Sequence, residues 1–316
     1  MKTYIATIMT GLMFAMMPVG TAAPMEISGD VSVKYETDTA ENTATESGMM
    51  YTLTLKGEKK IGKGLSLYGR LGAQYASNPI LGDYDLSVYG QDTKAVATID
   101  QFGLIYKSNK LVYKLGRQDI AVGVTELLYN RPETNVGNNA FVDGLSITGS
   151  SGVIDLSGIV ARENSIWLPN NSLYAMRAGY SLSKNANVGL TLAQYQYYNE
   201  DNSNHWAVDG TVASGKNSLT AEYTQSNKSE ENKAYAITWN YQFTDKTALY
   251  VTNFRVEANG DMGKQSEYDN NNRGFYYGIT HSFNDKLSLE VVYKDQVALA
   301  DNTKNTKMEV TLKNTF

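Results

Sequence analysis

Apolar and polar residues alternate one by one along most of this chain, and this period of two constrains the fold more than any other feature. The clearest run puts one apolar and one polar set on opposite parities: Tyr235, Ile237, Trp239, Tyr241 and Phe243 against Ala234, Ala236, Thr238, Asn240 and Gln242. Successive side chains of a β-strand point to opposite faces, whereas a helix repeats every 3.6 residues. The pattern therefore predicts strands with one apolar and one polar face.

The same alternation recurs from the start of the chain to its end, which indicates a single domain. Apolar positions oppose polar ones near residues 27–35, 65–75, 287–294 and 307–313. The inward polar sets include Ser28, Asp30, Ser32 and Lys34; Ser66, Tyr68, Arg70 and Gln74; Ser288, Glu290 and Lys294; and Lys307, Glu309, Thr311 and Lys313. The last strand ends on an aromatic residue, Phe316.

Turn-forming residues divide the alternating segments into hairpins. Tight turns are predicted near residues 60–64, 108–110, 150–152, 183–185, 215–217, 244–246 and 284–286. Longer polar connections are predicted near residues 38–47, 77–94, 119–140, 163–171, 199–204, 227–232, 257–273 and 297–305. Seven tight turns and eight long loops join sixteen strands, with short and long connections alternating.

An even number of strands with this asymmetry is typical of outer-membrane barrels. The sequence thus predicts an all-β, transmembrane, antiparallel up-and-down barrel of about sixteen strands, with lipid against its apolar face. Aromatic residues near strand ends suit the headgroup boundary: Tyr51, Tyr75, Tyr106, Trp206, Tyr241, Phe243 and Phe283. A secreted β-solenoid is the alternative fold, but the chain lacks the short repeat that a solenoid requires.

The N-terminal segment places the protein in the export pathway. Lys2 precedes an apolar stretch that ends at Val19 and is followed by small residues, the order of a secretory signal peptide. Cleavage after Ala22 is predicted, because cleavage after Ala23 leaves Pro24 at the new terminus. Residues 1–22 are the predicted signal peptide and residues 23–316 the barrel, located in the cell outer membrane. An N-terminal membrane anchor, the alternative, needs about 20 apolar residues.

Composition narrows the function further. The chain has 23 Tyr, 27 Gly, 5 Pro and no Cys, which favours strands and turns and excludes disulfides and thiolate metal sites. A net charge of -5 argues against a nucleic-acid partner, which needs a basic surface. The mean hydropathy of -0.37 agrees with a barrel, whose apolar face occupies only alternate positions. No cofactor or metal is predicted.

The chain resembles the general porins of Gram-negative outer membranes over essentially all of its mature length. Besides the alternation and Phe316, three stretches carry the resemblance: 27–31 (ISGDV), 55–58 (LKGE) and 115–119 (LGRQD). The resemblance implies a water-filled channel for passive diffusion of ions and small hydrophilic solutes, and assembly as a homotrimer. It also implies that the barrel-assembly machinery recognises Phe316.

In that family the third long loop narrows the pore, and its acidic groups face basic groups on the opposite wall. The corresponding loop here, residues 119–140, carries Glu126, Arg131 and Glu133, although Thr134 and Asn135 replace an aromatic residue and a glycine usual in the family. The alternative is that both glutamates are solvated loop charges. Parity makes four basic residues inward candidates for the wall: Lys56, Arg70, Lys114 and Arg177. Arg117 points outward by the same parity.

Wall positions that are basic in enterobacterial relatives carry Asp30, Thr52 and Thr98 here. Fewer wall cations with retained acids favour cations in a narrow lumen. We therefore predict weak cation selectivity.

Other functions fit the sequence less well. An outer-membrane esterase or protease needs an imidazole base, and only His205 and His281 are available. A sugar-specific channel could use Tyr195 and Tyr197, whose facing the alternation leaves open because Gln194 and Gln196 flank them. An adhesive or structural barrel with a closed lumen remains the third alternative.

Overall fold

The computed structural model describes residues 24–78, 81, 94–164 and 170–316. The predicted signal peptide, residues 1–22, lies outside the described residues. So does most of the second long connection and the middle of the fourth. The remainder of the chain forms eighteen β-strands.

Sixteen strands form a closed antiparallel barrel, and two short ones form a separate hairpin. The first half of the chain contains β1 Glu26–Ala40, β2 Glu46–Gly62, β3 Leu65–Ala76, β4 Ala95–Ser108, β5 Leu111–Gln118, β6 Ile120–Val122, β7 Tyr129–Arg131, β8 Val142–Ser151 and β9 Ile154–Glu163. The second half contains β10 Ser172–Ser183, β11 Ala186–Gln196, β12 Ser203–Ser214, β13 Asn217–Ser226, β14 Lys233–Thr244, β15 Thr247–Val256, β16 Asn272–Ser282, β17 Leu287–Ala298 and β18 Lys304–Thr315.

The strand number and the all-β barrel predicted from the alternation are confirmed. Every strand of the barrel pairs with its neighbour in the chain, and the hairpin β6–β7 lies within the third long loop. The seven tight turns lie where the turn-forming residues predicted them. At the opposite end of the barrel from the tight turns, the third loop comprises residues 119–141 and the seventh loop comprises residues 257–271.

The two faces of the wall follow the predicted parity. Outward apolar side chains such as Leu67, Ile237 and Trp239 are 47%, 42% and 40% exposed in the isolated chain, whereas inward Gln74 is buried. Arg117 lies on the outer face as its parity predicted, because it pairs in register with the outward Phe102 and bonds Asp143 at 2.9 Å. An exposed apolar face and a polar inner face thus alternate along the strands of the wall.

Closure of the barrel joins the two ends of the chain. Strand β1 pairs with β18. Near the start of β1, Gly29 exchanges two backbone hydrogen bonds of 3.0 Å with Phe316, the residue after β18. The Phe316 ring covers Gly29, so that a Cβ at position 29 would lie 2.8 Å from Cζ of that ring and 2.4 Å from the Thr54 carbonyl oxygen. Only a glycine fits at this seam without displacing backbone.

No helix among the described residues is long and apolar enough to cross a membrane.

We expect Gly29→Ala to destabilise the closed barrel by about 1–3 kcal/mol, the usual cost of overpacking a filled site. The measurement is the urea concentration at which the compact, heat-modifiable form is lost on a gel. Gly69→Ala is the matched control, since a Cβ there meets its nearest atom at 3.9 Å. Equal midpoints for the two variants would contradict the assigned packing of Phe316.

Candidate functional site: a lumen filled from two loops

The third loop folds into the barrel instead of standing outside it. Its residues Leu127, Leu128 and Tyr129 are 0% exposed. Leu128 and Tyr129 pack on small and apolar side chains of the inner wall from β8 to β12, and Leu127 packs on the wall from β14 to β16. The hydrophobic effect therefore holds this loop against one half of the wall and leaves the other half open.

A second loop also folds inward, which the sequence analysis did not predict. Met262 of the seventh loop is 0% exposed within the same cluster as Leu128, and Tyr268 stacks on Phe254 at a ring distance of 4.9 Å. Gly263, at φ +68°, lies so close to the Tyr195 ring that a Cβ would come within 2.5 Å of it. The apolar residues in this loop were the available signal.

Backbone hydrogen bonds connect the two inward loops. Met262 N donates to Leu128 O at 2.8 Å, Asn130 N donates to Gln265 O at 2.5 Å, and Glu267 N donates to Glu126 O at 3.1 Å. Each bond gives a hydrogen-bond partner to backbone groups that would otherwise need water inside the barrel. The third and seventh loops consequently form one platform across the lumen.

Arg70, predicted to belong to a basic wall cluster, anchors the tip of the third loop. Its guanidinium makes two hydrogen bonds to Asp100, at 2.8 and 2.6 Å, and donates to the Glu133 and Asn135 carbonyl oxygens at 2.5 and 2.6 Å. Arg70 and Asp100 are 2% and 0% exposed. A planar, five-donor cation can bind a carboxylate and two carbonyls together, which a lysine cannot. The positive charge of Arg70 is therefore neutralised by Asp100 inside the protein.

The segment of the third loop before its tip is attached to β13. Glu222 accepts hydrogen bonds from the backbone N and the hydroxyl of Thr125, both at 2.8 Å. Gly123, at φ +96°, permits this approach, because a Cβ there would lie 2.2 Å from Glu222 Oε1. Burial raises the pKa of the neighbouring Glu126 carboxyl. Charged side chains of the wall thus hold the third loop both at Thr125 and at its tip.

A polar cavity of ≈590 Å³ lies between the third-loop tip and the open half of the wall. Glu133 reaches across to Lys56, with Nζ and Oε1 2.5 Å apart. The predicted residues Asp30 and Thr52 line this cavity, and Thr98 bonds Asn138 of the third loop at 2.9 Å. The structure therefore brings Glu133 and Asp30 to one cavity, and Lys56 contacts it through Glu133.

The basic residues of this cavity are lysines that the site prediction missed. Lys34, Lys294, Lys307 and Lys313 line it from β1, β17 and β18. They alternate with carboxylates of the same wall, as shown by Lys34–Glu36 at 2.7 Å, Lys294–Glu309 at 3.1 Å, Lys307–Glu36 at 3.2 Å and Lys313–Asp30 at 3.8 Å. Parity had placed all four inward, and their common location on adjacent strands was the missed signal.

The remaining predicted residues lie elsewhere in the barrel. Lys114 pairs with Asp119 at 2.9 Å, Arg131 with Glu163 at 3.3 Å, and Arg177 with Asp209 at 2.6 Å. None of these residues is among the described residues that line the ≈590 Å³ cavity. Arg131 and Tyr129 instead hold the β7 segment of the third loop to Glu163 of the wall, and Tyr129 donates to Glu163 at 2.9 Å.

The histidines do not form a catalytic arrangement. His205 Nε2 lies 3.0 Å from Ser203 Oγ, but both residues are buried and His205 Nδ1 has no hydrogen-bond partner. His281 Nδ1 contacts Thr247 Oγ1 at 2.9 Å. A Ser–His pair needs a third group that orients the imidazole. In the described part of the chain, no cluster of three or more acidic or histidine residues could hold a metal ion.

The aromatic residues considered for a sugar path are used in packing. Tyr195 points inward and is 1% exposed, 6.3 Å from the Tyr129 ring and 4.7 Å from the Tyr197 ring by their centroids. Tyr197 packs against the same buried cluster. Neither ring lines the ≈590 Å³ cavity.

We expect Arg70→Met to destabilise the barrel by about 3–5 kcal/mol, because it leaves Asp100 buried without its cationic partner. Lys60→Met, which removes an exposed pair with Glu26 at 3.0 Å, should cost less than about 1 kcal/mol. Urea unfolding of both variants in detergent, followed by tryptophan fluorescence, makes the comparison. A loss for Arg70→Met no larger than that for Lys60→Met would refute the anchoring role.

The seventh loop should dock more tightly as the pH falls. Burial raises the pKa of Asp261 to about 7, above the ordinary value of 3.8, although Asn270 donates to it at 2.7 Å. Its protonated form is favoured in the docked loop, so docking is strongest below pH 3.8 and weakens as the pH rises toward 7. The chain has no cysteine. A spin label on Lys264→Cys should therefore gain mobility from pH 5 to pH 8.

Asp261→Asn, which mimics the neutral acid, is the control for this measurement. It should clearly reduce the gain in mobility of the label at position 264 between pH 5 and pH 8, and the remainder is expected from Glu267 of the same loop, whose pKa burial also raises to about 7. An undiminished pH response in Asp261→Asn would assign the effect to another group.

The structure of this chain is similar to known structures, whereas comparisons of its sequence find no match. No family model matches the chain, and no curated protein matches its sequence. Among solved structures, a mutant porin of Rhodopseudomonas blastica superposes with a TM-score of 0.61 at 12% identity, covering 92% of this chain and all of that one. Salmonella typhi OmpF, in a complex with daunomycin, gives a TM-score of 0.63 at 13% identity, covering 92% and 97%. The chain therefore has the sixteen-stranded barrel fold of the bacterial porins.

Proposed function

We propose that this protein is an outer-membrane channel through which ions and small hydrophilic solutes diffuse passively, and that it has no enzymatic activity. One observation carries the proposal: a closed barrel with an apolar outer face encloses a polar cavity of ≈590 Å³ lined by charged side chains. Such a cavity suits hydrated solutes, and a barrel leaves no unpaired strand edge in lipid.

The channel is weakly selective for cations. Among the described residues that line the cavity, six are carboxylates and four are lysines. Low-dielectric walls focus the field of such an excess and enrich the lumen in cations. A zero-current potential of the anion-selective sign across a salt gradient would contradict this part of the proposal.

The proposal extends to the partners of the protein. The mature chain, residues 23–316, is a homotrimer in the cell outer membrane, with lipid on the surface that the subunits leave free. The barrel-assembly machinery recognises Phe316, whose side chain is 52% exposed beside the seam. The outward aromatic residues Tyr51, Tyr75 and Tyr106, each 45–47% exposed, suit the headgroup boundary.

A sugar-specific channel is the second candidate, and the inward aromatic residues weigh against it. Tyr195 and Tyr197, the rings considered for stacking, are packed into the wall cluster. Saturable block by one class of sugar would nevertheless favour this function over general diffusion.

Purified mature protein in a planar bilayer tests the proposal. We expect stable, ohmic conductance steps, grouped in threes if the trimer inserts as a unit. Neutral polymers of graded size should lower the conductance only when they are small enough to enter. A barrel that inserts but passes no current would contradict the channel function and favour an adhesive or structural role.

A further inference from the structure

Two carboxylates meet at the junction of the inward loops. Asn130 Nδ2 donates to Glu126 Oε2 at 2.5 Å and to Glu267 Oε2 at 3.0 Å. Because both oxygens contact one nitrogen, they lie no more than about 5.5 Å apart, a distance at which two like charges repel appreciably. The backbone bond from Glu267 to Glu126 fixes this approach.

Neither carboxylate has a basic partner within 4.0 Å in the described structure. By contrast, four other carboxylates of the ≈590 Å³ cavity, Asp30, Glu36, Glu133 and Glu309, each lie within that distance of a lysine. The remaining one, Glu290, has no such partner in the described part of the chain and accepts a hydrogen bond from Tyr250 at 3.4 Å. Lys294 acts electrostatically on Glu267 but is paired with Glu309 at 3.1 Å. The amide of Asn130 is a neutral donor and does not compensate the charge of the pair. Burial raises the pKa of both carboxyls, that of Glu267 to about 7 with a further contribution from Glu126, so the pair gains negative charge as the pH rises above 7.

The pair borders two cavities. Glu126 and Glu267 line a space of ≈360 Å³ beside the wall from β13 to β16, and Glu267 with Tyr250 also lines the ≈590 Å³ cavity. The smaller space is lined by hydroxyl, amide and carboxyl groups and by no described basic residue. Glu267 is therefore the carboxylate that the two cavities share.

We propose that Glu126 and Glu267 together determine the preference of the channel for cations. The inference rests on the proposed channel function and assigns its selectivity to the junction of the two loops. Glu133 at the tip of the third loop contributes less, because Lys56 neutralises it at 2.5 Å. A fixed pair of unpaired negative charges concentrates cations locally and repels anions.

The test is the zero-current potential of each variant at pH 8, above the raised pKa of Glu267, across a gradient of potassium chloride, converted to a ratio of potassium to chloride permeability. Glu126→Gln/Glu267→Gln keeps the shape of both side chains and their contacts with Asn130. We expect this double variant to lower the ratio at least about twofold, since it removes the charge that enriches cations. Glu267→Gln alone, at an exposed side chain, should lower it in the same direction and serves if the double variant fails to fold.

Glu230→Gln/Glu231→Gln is the matched control, because it removes two exposed carboxylates from the loop between β13 and β14. Its ratio should equal that of the unmodified protein. Glu133→Gln is the competing variant. A larger fall of the ratio in Glu133→Gln than in Glu126→Gln/Glu267→Gln would assign selectivity to the loop tip and overturn the inference.

The two proposals fail in different ways. If the unmodified protein passes no current, the channel function is wrong. If it conducts with a cation preference that Glu126→Gln/Glu267→Gln leaves intact, the channel function stands and the assignment of selectivity is wrong. A channel selective for anions would overturn the assignment and the predicted sign of selectivity together.

Discussion

The structure depends on the backbone hydrogen bonds that close the sheet into a barrel. A strand edge exposed to hydrocarbon would leave its amide and carbonyl groups unsatisfied, so a membrane barrel must close. Here the last residue, Phe316, bonds the backbone of Gly29 and completes the closure. With the edges removed, each strand is free to use alternate positions for lipid and for water. The inner surface can then carry charges that an open sheet in a membrane could not.

The alternation predicted the strands, the turns and the facing of most wall residues, because a period of two leaves no other arrangement over so many segments. It predicted that Lys34 and Lys294 face inward and that Arg117 faces outward. It did not predict that residues 257–271 fold inside, since the available signal was only two separated large apolar residues, Met262 and Tyr268, in an otherwise polar loop. Nor could it predict which inward cations are paired, because partners such as Arg70 and Asp100 are set by contacts distant along the chain.

Arginine and lysine serve different purposes inside this barrel. Arg70 and Arg131 bind carboxylates at 2.6 and 3.3 Å and hold the third loop, whereas Arg177 binds Asp209 at 2.6 Å within the wall. The bases that line the ≈590 Å³ cavity are lysines. A guanidinium holds a carboxylate through two parallel bonds and so fixes a loop, whereas a flexible ammonium group is strongly hydrated and suits a wet wall. Counting basic residues by sequence alone merges these two uses.

The three backbone hydrogen bonds between residues 126–130 and 262–267 have a consequence for how this barrel can change during evolution. Insertions into the short connections at 41–45 or 227–232 extend into solvent and leave the lumen unaltered. An insertion in either inward segment shifts the pairing of the other, so the width and charge of the lumen must vary through both segments at once. Lineages of this barrel should therefore show length changes in the two segments that occur together.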